Sequence, residues 1–372
     1  MNKNKQVLFG VIAVVIVLCV VVALVIHRGG EEKDQDVIKI GAILPLTGNL
    51  SFLGEEERNA LSLVNEDMAR IEGYPKMQIV FADSMGTARD GLSAYHHPDI
   101  RNTRHLITSL TIVSESVNAA AADNVDVQLA LSVHPEITAR PKVVRPYYGL
   151  EQEIDLAVQL FRKLGAERVA ALHINTPEAA DAVAEYLVPL LEKNNIEFLG
   201  AETYTFADTS LRNILEKIRS QDPCFIYTHD FGNMYPIMLR EAEVMGIRTR
   251  ILGGLGLLTA PNLPNELKKE LYFVSPTFAI APTEQYLNFI ERYQERFSSK
   301  PTFDGVYTYD AGMLLAKHIS RGTATVSGIA NSTYEGISGK MKFDDRARVQ
   351  LDISAARYNA NGVPEILIST DF

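Results

Sequence analysis

Along most of the chain, short runs of β-branched and apolar residues alternate with longer stretches whose apolar residues recur every three or four positions. These are the periods of strand and helix. VIKIGAIL (37–44) reads as a strand, broken by Pro45, Thr47, Gly48 and Asn49. In GEEERNALSLVNEDMARIEG, Leu61, Val64, Met68 and Ile71 fall on one helical face. Glu55, Glu56 and Glu57 are expected in the first turn of that helix, where carboxylates favour the dipole, and Gly73 lies just past its end. A strand MQIVFAD (77–83), a helix near 87–100, a strand HLITSL (105–110), a helix SESVNAAAADN (114–124) and a strand VQLALS (127–132) follow.

The alternation restarts after PYYG (146–149). EQEIDLAVQLFRKLG is helical, with Ile154, Val158 and Phe161 on one face. Then come a strand at 168–174, a helix at 177–194, a strand near 196–205, the helix LRNILEKIRS, a strand at 224–229, the helix YPIMLREAEVMG and a strand at 249–254. The tail changes to hairpin character, with NANG as a turn between two strands. Strands that alternate with helices predict a mostly parallel sheet covered on both faces, and the restart predicts two similar α/β lobes. No period of 20–50 residues recurs often enough for a solenoid.

The N-terminus breaks this pattern. Val7 to Ile26 is an apolar run of 20 residues, which as a helix matches the roughly 30 Å hydrocarbon core of a bilayer. Lys3 and Lys5 precede it, so the positive-inside rule keeps the N-terminus cytoplasmic and exports everything after His27. The run is longer than the apolar core of a cleaved signal, and no A-x-A pattern follows. Cys19 is preceded by Ile16, Val17 and Leu18 rather than a small residue, which argues against a lipidated cysteine. The expectation is an uncleaved single-pass anchor in the cell membrane, with a polar linker GGEEKDQD (29–36) and an extracytoplasmic domain from Val37.

Composition narrows the function. Net charge is −10, without a basic tract, which excludes nucleic acid as a partner because phosphate binding needs clustered cations. The two cysteines, Cys19 and Cys224, exclude a disulfide scaffold. No P-loop, nucleophile elbow or H-E-x-x-H occurs, and GGLGLL lacks the G-x-G-x-x-G spacing. His96, His97 and His105 cluster, but adjacent histidines point apart on a regular element and Pro98 ends the segment, so they read as surface rather than metal ligands. No enzyme activity, metal or cofactor is expected.

IKIGAILPLTGNLSFLGEEERNALSLVNED resembles the opening of the type I periplasmic solute-binding proteins, the family that contains the leucine/isoleucine/valine-binding protein of ABC importers. SVHPEIT, YTHDFGNMYPIMLREAEVMGIRTRILGG, FDGVYTYDAGMLLAKHI and GISGKMKFDD resemble its later segments in order. The resemblance implies two Rossmann-like lobes with parallel sheets, joined by a three-crossing hinge and preceded here by the transmembrane helix. The expected division is 1–36 for tip, anchor and linker, 37–147 plus 276–333 for the first lobe, and 148–275 plus 334–372 for the second. A small polar or amphipathic solute would be held in the cleft and passed to an ABC permease. The alternative on the same fold is a ligand-sensing module read by a signalling partner.

Ligands of open α/β sheets sit outside the carboxyl ends of the strands. The candidate contacts there are Ser51, Phe52, Ser109, Thr111, Ser114, Ser132, Asn175, Thr176, His229, Asp230 and Leu255. Helix capping is the rival role for Ser114 and Asp230. Where amino-acid binders of the family place an acidic partner for the ammonium, this chain has Leu255, and Val133 stands where a hydroxyl helps hold the carboxylate. Thr176-Pro177 replaces their aromatic-glycine. The resemblance therefore implies weak binding of simple aliphatic amino acids, with Asp230 as the one substitute charge.

Overall fold

Fifteen strands among the described residues are distributed over three sheets. The computed structural model describes residues 37–229, 234–254, 256–257, 260, 263–268 and 271–370. The expected anchor at 7–26, Cys19, Asp230 and Leu255 lie outside these. Among the described residues no helix is long and apolar enough to cross a membrane.

The first half builds β1 (Ile38–Leu44), α1 (Ser51–Met68), β2 (Met77–Asp83), α2 (Ala88–Tyr95), β3 (His105–Ser109), α3 (Thr111–Ala121), β4 (Val127–Leu131) and β5 (Val143–Val144). Its sheet has the order β2-β1-β3-β4-β5. β1, β3, β4 and β5 run parallel. β4 is buried along its whole length, which is why it reads as an unbroken apolar run rather than an alternation.

Two helix starts differ from expectation. α1 begins at Ser51 and has no acidic residue in its first turn. The Asp83 carboxylate accepts from the Leu46 and Thr47 amides and the Thr47 hydroxyl, which ends the turn after β1 early. Gly54 then sits where a Cβ would lie 2.2 Å from the Pro45 carbonyl oxygen. Glu55, Glu56 and Glu57 consequently fall in the second turn, and Glu57 is buried. α3 starts at Thr111 rather than Ser114 because Leu110, at φ +70°, turns the chain sharply out of β3. The expected helix at 87–100 stops at Tyr95 and resumes for one turn at Pro98, which disfavours helical backbone at His97.

The second half contains α4 (Leu150–Lys163), β6 (Arg168–Ile174), α5 (Pro177–Asp181), β7 (Glu197–Tyr204), α6 (Arg212–Arg219), β8 (Phe225–His229), α7 (Tyr235–Val244), β9 (Arg250–Gly253) and β10 (Leu271–Pro276). α5 continues through a π-helical turn at 182–187 into Val188–Lys193. The chain then forms α8 (Glu284–Phe297), α9 (Phe303–Ser320), β11 (Thr333–Gly336), β12 (Gly339–Phe343), β13 (Val349–Gln350), β14 (Ile353–Tyr358) and β15 (Pro364–Ser369). The large sheet has the order β15-β14-β10-β9-β8-β6-β7. β6 to β10 are parallel, and the tail adds β14 and β15 as an antiparallel edge. The NANG turn closes that hairpin, with the Asn359 side chain accepting from the Asn361 and Val363 amides.

The chain passes between the two large sheets three times: at 145–149 after β5, at 277–283 after β10, and at 351–352 before β14. α8 and α9 return to α1, where Arg292 meets Asp67 and the Glu56 carboxylate accepts from the Thr302 and Gly305 amides at the start of α9. β11 to β13 form a third small sheet. The Asp310 carboxylate of α9 accepts from the Ile337 and Ser338 amides, and the backbone around Arg348 pairs in parallel with that of Arg145 at the first crossing.

Candidate binding cleft

The strand ends converge on one cavity of about 110 Å³. Its walls come from both sheets because parallel strands point their carboxyl ends, and the loops after them, the same way. Register fixes which side chains emerge together. Ser109 pairs with Leu131 across β3 and β4. The residues that follow, Thr111 and Ser132, therefore stand side by side, hydroxyls 2.8 Å apart. In the second sheet His173 pairs with His229 and Thr228 with Gly253, which brings His229 and Gly254 to the cavity together.

Of the expected contacts, Ser109, Thr111, Ser132, Thr176 and His229 line the cavity. Ser51, Phe52, Ser114 and Asn175 do not. Ser51 and Phe52 open α1, and Phe52 is exposed. Ser114 lies beneath the sheet, accepting a hydrogen bond from Thr108 while its carbonyl accepts from Gln128. Asn175 is exposed and donates its amide to the Tyr204 carbonyl. Thr176 also caps α5, accepting from the Ala179 amide. Asp230 and Leu255 lie outside the described residues.

The cavity is acidic, which the sequence reading did not foresee. Glu57, Glu153, Glu178 and Asp304 all line it, together with Tyr147 and Tyr148 from the first crossing. The expectation that a carboxylate would be missing unless Asp230 supplied one is thus corrected: α1, α4, α5 and α9 each bring one. Among the described residues lining the cavity, His229 is the sole basic side chain. Leu53, Leu110, Leu131, Val133, Ile174, Ala179 and Phe303 supply the apolar wall.

The four acids are held differently. Glu153 is buried, and its carboxylate accepts from the Tyr148 and Tyr227 phenols, with the His229 Nδ1 3.8 Å away. A Cβ on Gly254 would stand 2.1 Å from Glu153 Oε1, so that glycine makes room for the carboxylate. Glu178, on the second lobe, accepts from the Thr111 hydroxyl of the first at 2.5 Å, a direct bond across the cleft. A second interlobe contact sets the His134 ring edge-on to Tyr186. Glu57 accepts from Ser109 at 2.5 Å and Asp304 from Tyr147 at 2.6 Å.

Burial pushes the Glu57 carboxyl well above the usual range, and the nearby Asp304 charge adds to this. Burial and the Glu56 charge do the same to Asp304. The Tyr147 and Tyr148 phenols are pushed up by burial and by Asp304 and Glu153 respectively. Leu110, at φ +70°, lines the same space, a backbone strain on the order of 1–3 kcal/mol at the point where the two hydroxyl loops meet.

A larger depression of about 480 Å³ opens beside Leu239, Ile247, Leu271 and Tyr358. It lies at the amino ends of β9 and β10 and receives nothing from the first lobe, so the smaller two-walled cleft is the better candidate for a ligand.

A family model described as periplasmic binding protein matches residues 37–362. The Leu/Ile/Val-binding protein BraC3 of Rhizobium johnstonii is 22% identical over 229 residues, 59% of this chain and 62% of that protein. The chain thus spans about three-fifths of that relative. The Leu/Ile/Val-binding protein of Escherichia coli is 20% identical over 254 residues, 64% of this chain and 67% of the relative. A solute-binding protein of an ABC transporter from Rhodopseudomonas palustris, solved with 3,4-dihydroxybenzoic acid, superposes with a TM-score of 0.78 at 15% identity, covering 90% of this chain and 98% of that one. The branched-chain amino acid transporter substrate-binding protein LivJ of Streptococcus pneumoniae, solved with isoleucine, gives 0.74 at 18% identity, covering 90% and 99%. With a match over residues 37–362, two sheets crossed three times and a cleft between their strand ends, the chain belongs to the type I periplasmic binding protein family.

Proposed function

We propose that the chain is an extracytoplasmic solute-binding protein, held at the cell membrane by residues 7–26, that closes two lobes over a small solute and delivers it to an ABC-type importer. The observation that carries this reading is the cleft walled by both lobes and spanned by the Thr111–Glu178 hydrogen bond. Such a bond forms only when the lobes meet, so closure around a hinge is the working motion. The relatives' names support the same class of activity. We divide the lobes as 37–147 with 276–350 and 148–275 with 351–372, shifting the expected boundary from 333 to 350 because the small sheet at 333–350 bonds to Asp310 and to the backbone of Arg145.

Size limits the solute. An engineered apolar cavity of about 150 Å³ accommodates benzene. A space of about 110 Å³ is smaller than that, so the solute that suits it is small. We assign its contacts to Ser109, Thr111, Ser132, Thr176 and His229, with Glu57, Tyr147 and Asp304 on the first-lobe side. No step of covalent chemistry is needed.

A thermal-shift screen of amino acids, short amides, amines, carboxylates and aromatic acids tests the reading, because a solute that binds only the folded state raises Tm. One chemical class is expected to raise it in a concentration-dependent way. Silence across all classes contradicts solute capture.

A further inference from the structure

The first-lobe wall of the cleft contains two carboxylates that the fold leaves half-satisfied. Glu57 and Asp304 are 1% and 2% exposed. One oxygen of each has a donor, from Ser109 and Tyr147. The other, Glu57 Oε2 and Asp304 Oδ2, is buried and has no hydrogen-bond partner among the described residues. Both side chains line the cavity. A buried carboxylate oxygen without a donor is costly, and two neighbouring acids raise that cost by mutual repulsion.

The rest of the lining narrows what completes them. Glu153 and Glu178 add two more acids, and no Lys or Arg among the described residues lines the cavity. An anionic solute would meet four carboxylates and, among the described residues, His229 as the sole basic side chain. Among the described residues no three His, Cys, Asp or Glu side chains are arranged to hold a metal ion. The apolar side chains Leu53, Leu110 and Phe303 enclose the same space and suit a short hydrocarbon. A protonated amine on such a chain offers up to three N–H donors and one positive charge, and charge-assisted bonds to carboxylates are about twice as strong as neutral ones.

We propose that the solute is a small organic cation, a protonated amine, whose charged group is received between Glu57 and Asp304 on the first-lobe wall. This rests on the reading of the cleft as a solute site and specifies its substrate class. The family resemblance implies a partner for the cation on the second lobe, at Asp230 or near Leu255. The structure assigns it to the opposite wall, from helices α1 and α9. Glu56, which holds the start of α9 from α1, positions Asp304 beside Glu57.

The test is calorimetry on the full chain in detergent with four probes of similar length: butylamine, 1,4-diaminobutane, butane-1,4-diol and succinate. Both amines are expected to bind at least tenfold more tightly than the diol or succinate. Glu57→Gln and Asp304→Asn are each expected to weaken the amines by about tenfold or more while near-ultraviolet circular dichroism stays unchanged. Equal or tighter binding of the diol or succinate overturns the cationic class, as does amine binding indifferent to both substitutions. No heat from either amine overturns it too, and the wild-type result needs no variant to fold. If any solute of the thermal screen binds after such a failure, solute capture stands and the class alone is wrong. Silence across that screen removes both.

Discussion

The two walls of the cleft bury carboxylates in opposite ways. On the second-lobe side Glu153 is surrounded by donors: the Tyr148 and Tyr227 phenols bond it and His229 stands nearby. On the first-lobe side Glu57 and Asp304 have one donor each and an open oxygen each. A buried acid with its acceptors satisfied strengthens the fold, whereas one left short weakens the empty fold and gains when a donor arrives. The second-lobe acid thus serves the scaffold and the first-lobe pair serves the solute.

The sharpest way to break this contrast is to remove the acids in turn. Glu153→Ala leaves two buried phenols without their acceptor, and a loss of about 3 kcal/mol or more in stability is expected. Thermal unfolding of the ligand-free protein reads it as a drop of several degrees in Tm. Glu57→Gln, by contrast, removes an acid whose ionisation the empty fold disfavours, so its Tm at neutral pH is expected to equal or exceed wild type. Reversed signs would erase the distinction between the walls.

Closure itself comes next. Thr111→Val removes the hydroxyl that donates to Glu178 across the cleft while keeping its volume. A charge-assisted bond of this kind contributes about 1.5–3 kcal/mol, so 1,4-diaminobutane should bind at least tenfold more weakly. Unchanged affinity would mean that this bond plays no part in holding the lobes together.

A pH series sharpens the comparison further. Glu57 and Asp304 have folded pKa values raised by burial, with the Asp304 and Glu56 charges adding at Glu57 and the Glu56 charge adding at Asp304. Between the ordinary carboxyl range and those raised values, the folded chain keeps protons that the unfolded chain has lost, so stability falls as pH rises through that window. Asp83, Asp126 and Glu241 are held below their usual range by hydrogen bonds and neighbouring cations, and their contribution disappears only at lower pH. The ligand-free Tm is therefore expected to rise as pH falls from neutral toward about 5, then to drop. Glu57→Gln should flatten the upper limb. A wild-type Tm that falls steadily from neutral pH downward would contradict the burial of the pair.

The smallest effect is expected at the N-terminus. Residues 39–372 pack as one compact unit, so a protein beginning near residue 34 should be soluble and melt cooperatively within about two degrees of the full chain, on the reasoning that a polar linker adds no buried area. Aggregation of that shorter protein would show that the earlier residues contribute to the fold.

How much of this was legible follows from where each signal lies. β3, β4, β6 and β8 announce themselves as short apolar runs, and residues at or just past their carboxyl ends, Ser109, Thr111, Ser132, Thr176 and His229, are therefore readable as cleft residues. The acids were not. Asp304 is the second residue of α9, Glu178 the second of α5 and Glu153 the fourth of α4, positions where a carboxylate is ordinary because of the helix dipole. Glu57 was read the same way, and became a buried cleft residue only because Asp83 and Gly54 start α1 one turn earlier. Tyr147 and Tyr148 looked like a break between lobes, and only the crossing geometry turns their phenols toward Asp304 and Glu153. β10 and α8 lay outside the reading, the first ending in Pro276 and the second lying on the surface with a narrow apolar face.

The central claim is that a cation completes the Glu57–Asp304 pair, and proton release on binding tests it most directly. The groups facing the pair are Glu56 from α1, Tyr147 from the first crossing and Ser109 from β3. A cation arriving between two acids with raised pKa values drives them to ionise. Titrating the full chain with 1,4-diaminobutane near neutral pH, in two buffers of different ionisation enthalpy, should show a net release of protons that Glu57→Gln diminishes. Binding with no change in bound protons, or with uptake, would contradict the account.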